Sequence, residues 1–250
     1  MPINYFRGLT SPQRSDQANR HLGRSLAFTA GAINAGGFLA VGQYTSHMSG
    51  VVASMSDNLA LGEAGLVVSG LSSLLAFLAG AGTSAVLINW GRRRGAQSEY
   101  AMPLLLEAVL LLCFGFLGSK AGNHRFFFVP ATAALLCFLM GLQNAIITKI
   151  SKAEIRTTHM TGLVTDMGIE LGKLLYWNVH ARSLGAVDVK ADRPKLALLA
   201  SLLGVFLIGG LIGALGFKHV GFVSAIPLAV MLMVLAAVPL ADDLVSQRSP

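Results

Sequence analysis

The sequence predicts an all-α, polytopic membrane bundle: six transmembrane helices in a 3+3 inverted-topology repeat, with two re-entrant or half-helix segments. Three observations predict it. Of the 250 residues, 54% are hydrophobic and only 12% charged, with a mean hydropathy of +0.63, whereas soluble domains carry about 25% charged residues. Lys and Arg are dense in alternate loops and sparse in the others. Short blocks in the first half recur in the second.

Taken in order, residues 1–24 are polar and carry Arg7, Arg14, Arg20 and Arg24. They read as a disordered cytoplasmic tail, since the first apolar run starts too late and extends too far for a cleaved secretory leader. A span needs about 20 largely apolar residues. Segments 25–43, 66–88, 101–119, 126–148, 196–216 and 219–240 qualify, with Glu107 the sole Asp, Glu, Lys or Arg inside them. Cytoplasmic loops carry the excess of Lys and Arg. Sixteen of the 19 fall in the tail, the Arg92–Arg94 loop, the 149–195 loop and the C-terminus, against Lys120, Arg125 and Lys218 in the alternate loops and none in 44–65. Both termini are therefore expected in the cytoplasm. The expected organisation is a tail (1–24), a first three-helix repeat (25–119), a second, inverted one (120–241) containing a cytoplasmic connection (173–195), and a cytoplasmic end (242–250).

The net charge of +7 is thus sorted by membrane side and forms no single basic patch, which argues against a nucleic-acid partner. Cys113 and Cys137 lie within apolar runs at no metal-site spacing, so neither a disulfide scaffold nor a zinc site is expected. No metal, cofactor or nucleotide loop is read from the sequence. The expected partners are the lipid bilayer and a small-molecule substrate.

The repeat is visible in three blocks. Gly31-Ala32-Ile33-Asn34-Ala35 answers Gly141-Leu142-Gln143-Asn144-Ala145 at an offset of 110; Ser46-His47-Met48-Ser49-Gly50 answers Thr158-His159-Met160-Thr161-Gly162, shifted by two more; Leu59-Ala60-Leu61-Gly62 answers Ile169-Glu170-Leu171-Gly172. Three spans per half turn the second copy upside down. Residues 47–62 contain Asp57 and Asn58 and would, as a full span, move Arg92–Arg94 outside, so a half-helix fits better. Broken segments at membrane depth are tolerated where they line a cavity, and paired ones in inverted repeats point to a transporter's central site.

The candidate substrate or ion site is accordingly Asn34, His47, Ser49, Gly50, Gln143, Asn144, His159, Thr161 and Gly162. Ser46 or Ser49, and Thr158 or Thr161, are expected to cap the half-helices, while free N–H groups there suit an anionic group. The two histidines either relay protons or bond interfacial carbonyls. Asn34, Gln143 and Asn144 either meet substrate or join helices, at about 0.6–2 kcal/mol each. Gly31 with Ala35 and Gly141 with Ala145 predict close approach of the first and fourth spans, and Gly209 with Gly213 packs the bundle or meets a second copy of the chain in a homodimer. Glu107, roughly 9 Å deep, and Asp166 are candidates for proton coupling. The bland alternatives are a Glu107 that snorkels or sits protonated, a Glu170 neutralised by Lys173, and a solvated Asp166. Tyr176, Trp177 and His180 suit the headgroup level.

With Asn34, the two His-Met blocks, Gly141–Ala145 and the run Arg156–Gly162, the chain resembles the YoaK-like family of bacterial inner-membrane proteins over nearly all of its length after residue 24. The resemblance implies an inner-membrane location and a family described as uncharacterised or as small-molecule transporters. The family's first block has Thr-Gly-Asn after the Met, whereas this chain has Ser49-Gly50-Val51, so no Asn side chain carries over there. The expected function is a secondary transporter of a small metabolite or ion working by alternating access, and not an enzyme. An intramembrane serine hydrolase built on Ser49 and a histidine, and a membrane scaffold or sensor, are the alternatives.

Overall fold

In a computed structural model, residues 16–96, 99–120, 125–151, 157–176 and 189–246 are described, and nearly all of them are helical, with no strand among them. Long apolar runs without alternation favour helix, which satisfies its own backbone groups. The helices are α1 (Asp16–Val41), α2 (Met48–Ala60), α3 (Ala64–Arg93), α4 (Ala101–Lys120), α5 (Arg125–Ile150), α6 (Met160–Leu175), α7 (Arg193–His219) and, after a 3₁₀ turn at Gly221–Ser224, α8 (Ala225–Ser246). The all-α class expected from composition holds for these residues.

Among the described residues three stretches are long and apolar enough to cross a membrane: Ala64–Arg93, Val129–Ile150 and Arg193–His219. Ala101–Phe116 and Gly221–Ala237 are shorter apolar helices. Helix α1 is 26 residues long, but Arg24, Asn34 and its glycines dilute the apolar run. It starts at Asp16, inside the stretch expected to be a disordered tail. Leu22 and Leu26 explain the difference, since both are fully buried, and Arg24 Nε donates to Ser201 Oγ on α7 at 3.0 Å. Residues 1–15 lie outside the described residues, as do Trp177 and His180, while Tyr176 is exposed.

The segments expected to be half-helices are helices α2 and α6, of 13 and 16 residues. At 1.5 Å per residue they reach about 20 and 24 Å, short of a hydrocarbon core of about 30 Å.

Helix α1 packs chiefly on α7, and α5 on α3; α4 packs on α8, α2 on α3, α6 on α7, and α1 touches α5. Exchanging α1 with α5, α2 with α6, α3 with α7 and α4 with α8 turns each of these pairings into another of the set. The α4–α5 and α3–α4 contacts depart from the pattern, because α8 makes no comparable contact with α1 or with α7.

Glycine sets the tightest of these pairings. A Cβ at Gly31 would lie 2.1 Å from the carbonyl oxygen of Phe206, and one at Gly141 would lie 2.0 Å from that of Phe77. On the opposing helices, Gly209 meets Phe28 O at 2.1 Å and Gly80 meets Phe138 O at 2.0 Å in the same sense. The small-residue faces of α1 and α5 are therefore spent on α7 and α3, and not chiefly on each other as the spacing led us to expect. Gly213, whose Cβ would lie 2.4 Å from Ala32 O, places the Gly209/Gly213 face inside this chain's own bundle. Backbone against backbone leaves no side chain to give way. Gly31→Ala and Gly141→Ala are each expected to lose at least ~2 kcal/mol of stability, whereas Gly204→Ala, with open space around its Cβ, stays within about 0.5 kcal/mol of wild type or gains slightly; thermal unfolding of the purified protein measures both.

Candidate functional site

The turn after α1 opens with Gly42 at φ +76°, a left-handed conformation that glycine adopts without strain. The chain then folds back on α1, and Asn34 fixes it there. Its Oδ1 accepts hydrogen bonds from Thr45 N at 3.1 Å, Ser46 N at 3.2 Å and Ser46 Oγ at 3.0 Å. In α5, Asn144 Oδ1 accepts a short hydrogen bond from Thr158 Oγ1, and its Nδ2 donates to Met140 O at 2.8 Å. An amide in each long helix thus holds the hydroxyl that precedes a histidine. Ser46 and Thr158 do not cap the half-helices, contrary to expectation, because their oxygens turn back to these amides.

The residues at the N-cap positions are His47 and His159, with closely similar backbone angles (φ −98°, ψ 69° and φ −83°, ψ 63°), and neither helix start has a side-chain cap hydrogen bond among the described residues. The two starts converge on one cavity of about 850 Å³. Asn34, His47 and Ser49 line it from the first half and Asn144, His159 and Thr161 from the second, with Met48, Met160, Ser46, Thr158, Tyr44, Thr148, Phe77 and Phe206 completing the wall. No Asp, Glu, Lys or Arg is among these residues. The chemistry on offer is hydroxyl, amide and imidazole hydrogen bonding against thioether and aromatic surface, with two helix N-termini directed at the same space.

A second cavity of about 480 Å³ lies between α2 and α3 and shares Tyr44 and His47 with the first. Gly50 lines this one. A Cβ there would approach His47 Nδ1 to 2.8 Å, so the bare backbone at Gly50 lets the imidazole lie over the first turn of α2. Phe38 stacks on Tyr44 at 4.7 Å between ring centres, at the rim of the same cavity.

Six of the nine residues read from sequence as a substrate site therefore face one space. Gly50 adjoins it through His47, and Gly162 follows Thr161 in α6 without lining it. Gln143 does not line it either. That side chain is fully buried and its Nε2 donates to Glu107 Oε1 at 2.8 Å, 36 residues away in sequence. Glu107 is fully buried as well and does not snorkel. Ser49 has no hydrogen bond to either histidine among the described residues.

Asp166 lies on α6, away from the cavity, with Lys195 Nζ at 3.8 Å. Its neighbour Glu170 is buried, accepting from Lys173 Nζ at 2.9 Å and from Asp192 N at 2.8 Å, with Lys195 Nζ at 4.0 Å. This cluster fastens the far end of α6 to the start of α7. The Lys173 hydrogen bond, followed by the Asp192 N–H, holds the Glu170 carboxyl below the usual carboxylate range.

The sequence reading missed Thr45 and Thr157, which are fully buried with hydroxyls that have no partner among the described residues. Each stands one place ahead of its His-Met block, so carrying the repeat back one residue would have found them. Phe77 and Phe206 gave no signal.

Fold and site together define an all-helical membrane-type protein with an uncharged polar cavity between two matched half-helix starts. The chain belongs to the DUF1275 family, described as a protein of unknown function, which matches residues 22–238. No curated protein and no solved structure matches the chain.

Two outcomes are expected. Asn34→Ala leaves three donors without their acceptor and should cost about 1–3 kcal/mol, while Asn34→Asp keeps the acceptor and most of that stability; chemical denaturation compares them. Glu170, with its folded-state value depressed, stabilises α6 docking above the ordinary carboxylate range, and that contribution is lost as pH falls through the depressed value. Protection factors in α6, in which the intrinsic slowing of exchange by acid is divided out, should therefore fall on acidification in wild type and be lower and far less pH-dependent in Glu170→Gln.

Proposed function

We propose that the protein is a secondary transporter of a small metabolite or ion in the bacterial inner membrane, working by alternating access between two inverted repeats. The observation that carries this reading is the shared cavity: the two His-Met blocks, distant in sequence, start two half-helices that open on the same uncharged polar space. Discontinuous segments meeting between repeats are the usual setting of a transporter's substrate site. The interchangeable helix pairings and the matched glycine contacts support the 3+3 arrangement. In this reading α1, α3, α4, α5, α7 and α8 span the membrane, α2 and α6 enter it from opposite sides, and the Lys and Arg distribution puts both termini in the cytoplasm.

Substrate is held by Asn34, Ser49 and His47 from one half and by Asn144, Thr161 and His159 from the other. Asn34 is well suited, since its Oδ1 is occupied by the 45–46 turn and its Nδ2 remains to donate.

Single cysteines at Ser49 and Thr161, in a background lacking Cys113 and Cys137, test the proposal with a membrane-impermeant thiol reagent. A carrier exposes both positions to reagent added on either side. Labelling of each position from one face alone, unchanged by any candidate solute, would overturn alternating access.

A further inference from the structure

We infer that Glu107 and Gln143 form a proton-binding site in the α4–α5 interface: Glu107 carries a proton on Oε2 and shares it with Gln143 Oε1. The two side chains are already joined by the hydrogen bond from Gln143 Nε2 to Glu107 Oε1 at 2.8 Å. Each then has one oxygen left over. Glu107 Oε2 and Gln143 Oε1 are both buried and without a partner among the described residues, although buried polar atoms are nearly always bonded. Two acceptors cannot satisfy each other, and a single proton between them satisfies both. A protonated carboxyl has one O–H donor, so the acid and the amide close into a ring of two hydrogen bonds. An ionised carboxylate would lack that second bond and bear the full cost of a buried, unpaired charge.

Among the described residues no ion pair supplies a cation in the proton's place: Glu107 has none. Of the elements packed on α4, α3 has its only charges, Arg92 and Arg93, in its last turn, and Arg92 is taken up by Glu99 at 3.0 Å. Helix α5 has Arg125 and Lys149 at its ends, with Lys149 donating to Asn89 at 3.1 Å. Helix α8 has Asp242 and Asp243 near its C-terminus, and the 3₁₀ turn has no ionisable residue. The remaining titratable groups are the Cys113 and Cys137 thiols and Lys120. Cys137 lies six residues before Gln143, about 9 Å along α5.

The other half of the repeat has no polar pair at the matching positions. Ala101-Met102-Pro103-Leu104 opens α4 as Ala225-Ile226-Pro227-Leu228 opens α8, which puts Met231 in the place of Glu107, while the Gly31 and Gly141 blocks put Ile33 in the place of Gln143. Both counterparts are apolar. The acid and its amide are an addition peculiar to one half, at a helix contact without a counterpart among the matched pairings.

Gln143 is followed by Asn144, which faces the cavity from another side of the same helix. Uptake forms one O–H bond at Oε2 and breaks one in a hydronium ion, leaving water; release returns the proton to water as hydronium and leaves a bare carboxylate against the helix that holds Asn144. The assignment of the proton as coupling ion rests on the transport reading, whereas its presence on Glu107 does not.

Infrared spectroscopy of the purified full-length protein at neutral pH tests it. The difference between wild type and Glu107→Gln should contain the C=O stretch of a protonated carboxyl, lost in the variant. Gln143→Leu leaves the acid in place and should shift that band to the frequency of a carboxyl without its amide partner, which keeps the test open if Glu107→Gln does not fold. A difference spectrum with carboxylate stretches alone, or a band that Gln143→Leu leaves unmoved, overturns the inference. Neither result depends on a substrate, so a missing band removes the proton site and leaves transport standing, and one-sided cysteine labelling does the reverse.

Discussion

Two helix pairs, α1 with α7 and α5 with α3, are drawn together until main chain touches main chain, and the cavity takes its shape from that constraint. Gly31 and Gly141 admit the carbonyls of Phe206 and Phe77. Those two phenylalanines stand in the cavity wall. Closing the helices and walling the site are thus one event. In a setting where apolar side chains gain little by meeting each other in place of lipid, close packing of small residues is what association can draw on, and this bundle draws on it at matched places.

The two halves use the same amide differently. Asn34 gathers two backbone N–H groups and a hydroxyl onto one oxygen, fixing the turn that precedes α2. Asn144 receives a hydroxyl and returns its nitrogen to its own helix at Met140 O. The far ends differ as well. Helix α2 runs into α3 through a short turn with Gly62 at φ +79°, while α6 is tied to α7 by Glu170 and its cations. One half-helix is held by backbone geometry and the other by charge, which salt screens and acid weakens.

Much of this was legible in the sequence, and the part that was not has a common cause. Hydropathy announces helices, and Asp57 with Asn58 marks a stretch that cannot cross a membrane, so α2 and its counterpart were readable. The His-Met blocks identified the cavity because matched sequence lies at matched positions. Spacing of small residues says that a helix has a face for close packing, but not which helix will occupy it, and Gly31 accordingly meets α7. Nor does it say where a hydroxyl will turn when an amide and a helix end both lie within reach. Gln143 looked like part of the site because it adjoins Asn144, yet consecutive residues on a helix point about 100° apart, and that turn takes it to Glu107. Residues 16–24 read as a tail because their buried face holds a single leucine, Leu22.

The pairing of α1 with α7 also sets an order of assembly. Arg24 and the Ser201 it bonds are 177 residues apart in the chain. Synthesis at about 5–20 residues per second leaves α1 without its main partner for roughly 9–35 s, its glycine face open and its Leu22 and Leu26 uncovered. The α3–α5 pair, much closer in sequence, is complete well before then. A nascent chain therefore passes through a stage in which the α3–α5 pair is built and the first helix waits, and any factor that guards unfinished helices during biogenesis would find its client in α1.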